Sequence, residues 1–402
     1  MASESSDLYF NPWDEAFKIN PYPHYKPLLE GPPRILNLFM PVALIARYND
    51  AVAVLCDHEN YTAVKPDIPF LNDQFKIFRG APILQTCDPP LHTRLRRVVS
   101  RSFASHRIEQ MEPRIRSITS ELLDRVEQRG RFEVMADLAN PLPMMVISEM
   151  LGIPPEDYDR FKSWCDGFVA GQNVPPGMPV PPEVEVANSA LREYFAAEIE
   201  KRQRQPSDDL IGTLVAAQEQ GDGLSMEETL AFIVMLLIAG NETTTNLIGN
   251  GMLALGRNPD HMARLRAQPQ LMGTAVEEIL RYDPPIQVAL TLPIARRDMN
   301  IGGTAIPAGA LMFVILAAAN RDPARFADPE RFDIGRHPNP HLAFGEGIHH
   351  CAGALLARLE GGIAFSMVLA RFPRLVLADP EVQPPYKGSY FMRGIGSLEM
   401  RV

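Results

Sequence analysis

Residues 344–353 read Phe344-Gly345-Glu346-Gly347-Ile348-His349-His350-Cys351-Ala352-Gly353, and a helical pattern follows at once over residues 354–369. A cysteine that opens a helix gains from free backbone N–H donors and the positive helix end. Both favour thiolate, the form needed for an iron ligand or a nucleophile. The glycines at 345, 347 and 353 remove side chains and permit positive φ, so the backbone can wrap closely around a flat ligand. A dinucleotide turn fits poorly, because the sixth position of the pattern, counted from Gly345, is His350 and no strong strand precedes the loop. A Cys–His dyad is not expected from adjacent positions, since such partners meet only in the fold. Neighbouring His349, His350 and Cys351 also rarely aim at one zinc ion.

Outward from this loop, the chain has 402 residues, 46% of them hydrophobic and 22% charged, enough for a substantial core and too apolar for a disordered polymer. No Gly/Ser tract, charge block or repeat divides it, so residues 1–402 are expected to form a single unit. The 39 basic and 49 acidic residues give a net charge of −10 without a long Lys/Arg run. This argues against a nucleic-acid partner. Cys56, Cys87, Cys165 and Cys351 are scattered, which indicates neither a disulfide framework nor structural zinc and fits the reducing cytoplasm. The polar, acidic N-terminus is unlike a signal peptide. Residues 230–239, the most apolar stretch, are shorter than the roughly 20 residues a bilayer needs and are expected to lie in a buried helix, with no membrane role.

Prolines cluster at apparent joints such as Pro89-Pro90, Pro181-Pro182 and Pro284-Pro285. Between them, helical periodicity predicts helices over residues 105–129, 188–204 and 225–256, while residues 42–46 and 311–315 read as strands. The expected fold class is mainly α with a small β region. The helix from Ser225 has capping-box spacing with Glu228, stops at Asn258-Pro259 and is long enough to cross a whole domain. Its middle, Ala239-Gly240-Asn241-Glu242-Thr243-Thr244-Thr245, places small and polar residues where a buried helix would carry bulky aliphatic ones. Such a lapse marks either a functional site or a kink with Thr back-bonding.

The pattern Phe-Gly-x-Gly-x-His-x-Cys-x-Gly at 344–353 resembles the haem-binding loop of the cytochrome P-450 superfamily, and independent segments agree with it. Glu278-Ile279-Leu280-Arg281 resembles the family's Glu-x-x-Arg helix, and Pro329-Glu330-Arg331-Phe332 resembles the segment whose arginine completes a Glu–Arg–Arg cluster. Glu278, Arg281 and Arg331 are thus expected in a structural role. Residues 239–244 resemble the oxygen-activating motif: Ala239 and Gly240 leave room beside the iron, Thr243 supplies an alcohol and Glu242 relays protons. Asp88-Pro89-Pro90-Leu91-His92-Thr93-Arg94-Leu95-Arg96 resembles the bacterial helix whose His92 and Arg96 equivalents meet a haem propionate, and His349 matches a further propionate partner. The resemblance implies the family's prism-shaped fold with a long central helix over haem b (iron protoporphyrin IX). It assigns Cys351 as axial ligand to the haem iron, and Phe344, Gly345 and Gly353 to the cofactor loop. One departure stands out: where many bacterial relatives carry a propionate-binding arginine five residues before an Asp-x-x-x-Gly-Gly segment, counting back from Asp298 gives Pro293.

By the same resemblance the chain is a monooxygenase that inserts one oxygen atom from O2 into a hydrophobic small molecule. Phe78, Phe168, Val169, Ile233, Leu237, Ile286, Val288 and Leu290 are its expected pocket residues, with Lys65 or Arg79 as candidate carboxylate anchors. Residues 167–182 include a Pro/Gly-rich stretch read as part of a lid. With no flavin domain and no cysteine set for an iron–sulfur cluster, electrons are expected from a separate acidic ferredoxin and an NAD(P)H-dependent ferredoxin reductase. Their docking site is expected at Arg94, Arg97, Arg101 and Arg358, on a monomeric chain. A peroxide-driven peroxygenase and a non-catalytic haem-thiolate sensor are the alternatives. The Glu242-Thr243 pair argues against the sensor.

Overall fold

The structure, a computed structural model, describes residues 10–11, 14–38, 40–65, 76–172, 179, 181–219, 223–387 and 391–402. Its axis is the helix Met226–Arg257, with the capping box formed as expected: the Ser225 hydroxyl accepts from Glu228 N–H at 3.2 Å and the Glu228 carboxylate from Ser225 N–H at 2.8 Å. Asn258 ends it, and Pro259 opens the next helix. The predicted apolar stretch is only part of this 32-residue helix, which is long and apolar enough to cross a membrane. The helix is nevertheless buried nearly all round, the pattern of a core helix. Helices Pro141–Met150, Pro182–Arg204, Met272–Tyr282 and Ala354–Arg371 pack around it. Close approach of the last one requires Gly251, where a Cβ would lie 2.4 Å from Phe365 Cζ.

Helix Ser105–Arg129 occupies the predicted span and runs through Pro113. The helix predicted over 188–204 begins six residues earlier, at Pro182, because proline is tolerated at the first helical position, where its missing N–H has no partner to lose. The β region is small. Its main sheet orders strands Arg34–Asn37, Pro41–Ile45, Leu311–Val314, Ile294–Ala295 and Tyr61–Thr62 side by side. Pro41–Ile45 and Leu311–Val314 run parallel, pairing Val42 with Leu311 and Leu44 with Phe313. These four residues face one apolar cluster, whereas Ala43, Ile45, Met312 and Val314 face another. With both faces covered, the strands read as continuous apolar runs. All four cysteines are free.

Candidate functional site: a thiol-floored cavity beneath the central helix

The loop before the C-terminal helix closes on itself. Cys351 N–H donates to Phe344 C=O at 2.9 Å and His350 N–H to Gly347 C=O at 3.1 Å, while Gly345 and Gly347 take φ of 71° and 72°. Glycine is obligatory at 347, because a Cβ there would lie 2.4 Å from the Leu55 carbonyl oxygen. Cys351 is exposed and lines a cavity of about 240 Å³. Burial raises its pKa, opposed by the Gly353 backbone N–H and the charges of Arg96 and Arg358.

Across the cavity lies the central helix, presenting Met235 and Leu236, Ala239 and Gly240, Thr243 and Thr244, then Leu247, a four-residue recurrence that defines one helical face. Ala239 is exposed, on a helix whose residues 229–237 and 244–255 are buried, so the anomalous segment in the sequence is where this helix opens onto the cavity. Thr243 Oγ1 donates to Ala239 C=O at 2.7 Å, so the back-bonding reading holds beside the cavity-facing one. A Cβ on Gly240 would meet only Ile147, at 3.6 Å, so protein packing does not require glycine there. Glu242 does not line the cavity. Its carboxylate accepts from Asn246 Nδ2 at 3.4 Å and feels Lys387, Lys162 and Asp166, and burial raises its pKa. It thus stands between the cavity helix and charged groups beyond it.

The polar end of the cavity is formed by His92, Arg96, Thr291, His349 and His350. Arg96 Nη1 donates to His350 C=O at 2.7 Å, and the His92 and His349 rings meet edge to face at 4.5 Å. Burial, followed by the charge on His92, pushes His349 down to about 4. Among the described residues, His92 Nε2 and Thr291 Oγ1 here are buried without a partner. Such orphans are costly unless a ligand meets them. A bare thiol on one wall, an apolar helix opposite, and cationic and unpartnered donors at one end together suit a flat macrocycle with carboxylate arms. The residues present fit haem.

Near this site, Glu278 and Arg281 are both fully buried and joined by two hydrogen bonds of 2.8 Å. Arg281 also donates to the carbonyls of Asn320, Pro329 and Arg331. The third member expected from sequence is corrected: Arg336, not Arg331, reaches Glu278, with Nε 3.1 Å from Oε2. The exposed Arg331 contributes only its backbone carbonyl, which Arg281 and Arg336 share. The chain turns between the two, with Asp333 N–H also donating to Glu278, so the guanidinium comes from five residues further on.

Of the expected pocket residues, Ile286 and Leu290 line the cavity. Phe78, Ile233, Leu237 and Val288 do not. Leu237 lies off the cavity face of the central helix, Ile233 lies a turn before the cavity, Phe78 packs in the helical core and Val288 packs beside the sheet. The side chains of Phe168 and Val169, and most of the expected lid, lie outside the described residues. Sequence reasoning missed Ile147, Met235, Ala289 and Glu360, all on the cavity wall. Glu360 is fully buried, its Oε2 has no partner, and burial raises its pKa to about 8. Only its place on the otherwise apolar face of the helix after Cys351 could have signalled it. The expected basic patch is also revised: Arg94 pairs with Glu228 and Arg358 with Glu277, whereas Arg97 and Arg101 are exposed and make no ion pair with another described residue.

A loop that holds one thiol under a long helix, with cations and unpartnered donors at one end, is the arrangement a haem-thiolate protein needs. The Cytochrome P450 family pattern matches residues 33–160 and 182–401, and the chain belongs to that family. It is 42% identical over 348 residues to Cytochrome P450 107B1 of Saccharopolyspora erythraea, covering 86% of this chain and 81% of that one. It is 36% identical over 403 residues to 6-deoxyerythronolide B hydroxylase of the same organism, covering 96% and 97%. Among solved structures, the tirandamycin C-bound P450 monooxygenase TamI superposes with a TM-score of 0.84 at 37% identity, over 96% of this chain and 98% of that one. The chain is a cytochrome P450 monooxygenase, an oxidoreductase that takes haem.

Proposed function

We propose that this chain, working in the cytoplasm as a single haem domain, uses haem b to hydroxylate or epoxidise a hydrophobic small molecule, with electrons from a separate ferredoxin and its NAD(P)H-dependent reductase. The observation that carries this reading is the Cys351 thiol facing Ala239, Gly240 and Thr243 across one cavity. Bound through the Cys351 thiolate, haem supplies oxidative chemistry that no side chain can perform. Cys351 must give up its proton on ligation, and the Gly353 N–H, Arg96 and Arg358 favour the anion. His92, Arg96 and His349 hold the propionates, which gives His92 Nε2 the partner it lacks. Ile147, Met235, Leu236, Ile286, Ala289 and Leu290 exclude water and take the apolar substrate.

Thr243 Oγ1 keeps two acceptor lone pairs while its proton rests on the Ala239 carbonyl, so it can hold an incoming proton donor at the cavity wall. Glu242, whose pKa is raised by burial, can exchange protons between the charged groups beyond the helix and this wall. Exposed Arg97 and Arg101 offer an acidic ferredoxin two cations free of ion pairs with described residues, and reversing both is expected to slow reduction by the ferredoxin without changing substrate affinity. The test is product formation from an apolar substrate that displaces water from the ferric haem, driven either by NAD(P)H with ferredoxin and reductase or by hydrogen peroxide alone. The proposal expects turnover with the redox proteins; turnover with peroxide only would make the chain a peroxygenase, and spectral binding without product a sensor.

A further inference from the structure

Position 293, where a propionate-binding arginine is expected, is proline, and neither nearby arginine takes its place. Arg296 Nη2 is committed to Asp88 at 2.5 Å and its Nε to Tyr61 C=O at 3.2 Å, while Arg297 is exposed. A different cation occupies this corner. Lys65 Nζ donates to the carbonyls of Thr291 and Leu292, the latter at 2.9 Å, in a backbone turn where Leu292 takes φ of 43°. Thr291 lines the cavity and its hydroxyl is a buried orphan among the described residues; the charge on Lys65 is felt by His349. No carboxylate bonds to Lys65 among the described residues. The nearest influence, Asp88, is taken up by Thr62 Oγ1, Ala63 N–H and Arg296. Burial lowers the Lys65 pKa to about 7, only partly opposed by the charge of Asp88, and two neutral carbonyls are weak compensation for an ammonium.

We propose that Lys65, together with the Thr291 hydroxyl, binds the haem propionate left without an arginine at position 293. The flexible four-carbon stem lets the ammonium turn from the two carbonyls towards a carboxylate arriving beside Thr291, and the hydroxyl gains an acceptor. The half-buried lysine then acquires its missing counter-charge, so haem and this corner of the fold stabilise each other. The proposal rests on the haem reading above and goes beyond it by naming residues outside the expected propionate set.

The test compares ferric holoprotein with its Lys65→Met, Lys65→Arg and Arg96→Met variants, reading haem transfer to excess apomyoglobin and the propionate-bending bands in resonance Raman spectra. Lys65→Met should lose haem roughly tenfold faster, the effect of one charge-assisted hydrogen bond, and shift one propionate band; Lys65→Arg should restore both. A Lys65→Met variant that holds haem as long as the parent, while Arg96→Met loses it faster, overturns the proposal alone. Faster loss with both propionate bands unmoved also overturns it, since that is what a loosened 291–292 turn would give. If Arg96→Met too leaves transfer and bands unchanged, the haem-site reading itself fails.

Discussion

Two buried polar regions lie close together and are built on opposite principles. In the knot around Glu278, every charge is met: the carboxylate accepts from Arg281, Arg336, Asn339 and Asp333 N–H, and Arg281 spends its remaining donors on three backbone carbonyls. Around the cavity, among the described residues, His92 Nε2, Thr291 Oγ1 and Glu360 Oε2 have no partner and Lys65 has no anion, and Cys351 lines open space. A network whose charges are all met ties the fold together, while one whose cation and thiol are left unmet carries the imprint of something the protein binds. Substitutions in the first region should therefore act on folding, and substitutions in the second on what binds and reacts.

The sharpest break should come at Glu278→Ala, which leaves Arg281 buried and uncompensated; the expected loss is about 3–5 kcal/mol, read by chemical unfolding of the holoprotein. Arg336→Ala should cost part of this and Arg331→Ala close to nothing, because the latter keeps the only group it contributes, its carbonyl. A reversed order would return the third place in the cluster to Arg331. Glu360→Gln comes next. An acid whose folded pKa is about 8 against an ordinary 4.5 lets the unfolded chain release its proton first, so the parent is progressively destabilised from about pH 4.5 to pH 8. The variant should match the parent near pH 4.5 and exceed it increasingly towards pH 8, by up to a few kcal/mol; a difference that does not grow with pH would contradict the buried neutral acid. Thr243→Ala should leave stability nearly intact yet divert reducing equivalents into hydrogen peroxide, measured as product formed per NAD(P)H consumed. Smallest of all is Gly240→Ala, which should gain roughly 0.5–1 kcal/mol of helix stability while narrowing the cavity, seen as weaker binding of bulky apolar ligands.

Legibility in the sequence followed the range of the interactions involved. The helix over 105–129 is written in local periodicity, the capping box at Ser225 in a three-residue spacing, and the loop at Cys351 in ten consecutive residues. Glu278 and Arg281 share one helical turn and could be read together, but Arg336 lies 58 residues from Glu278 and reaches it only through a turn that motif matching cannot follow. Pocket residues fared worst. Which face of the central helix opens onto the cavity is decided by the rotation of that helix against its neighbours, so Met235 and Leu236 line the cavity and Leu237 does not, although all three are apolar. Lys65 and Thr291, 226 positions apart, meet only because the strand at Tyr61–Thr62 pairs with the strand at Ile294–Ala295.

The central claim is that the Cys351 sulfur is the axial ligand of a haem held between this loop and the central helix, and the most direct measurement is the absorption of the reduced protein under carbon monoxide. The parent should show the strongly red-shifted Soret band of thiolate-ligated ferrous haem, and Cys351→His should show the band of an imidazole-ligated haem at shorter wavelength. A parent without the red-shifted band, or a Cys351→His variant that retains it, would contradict the account.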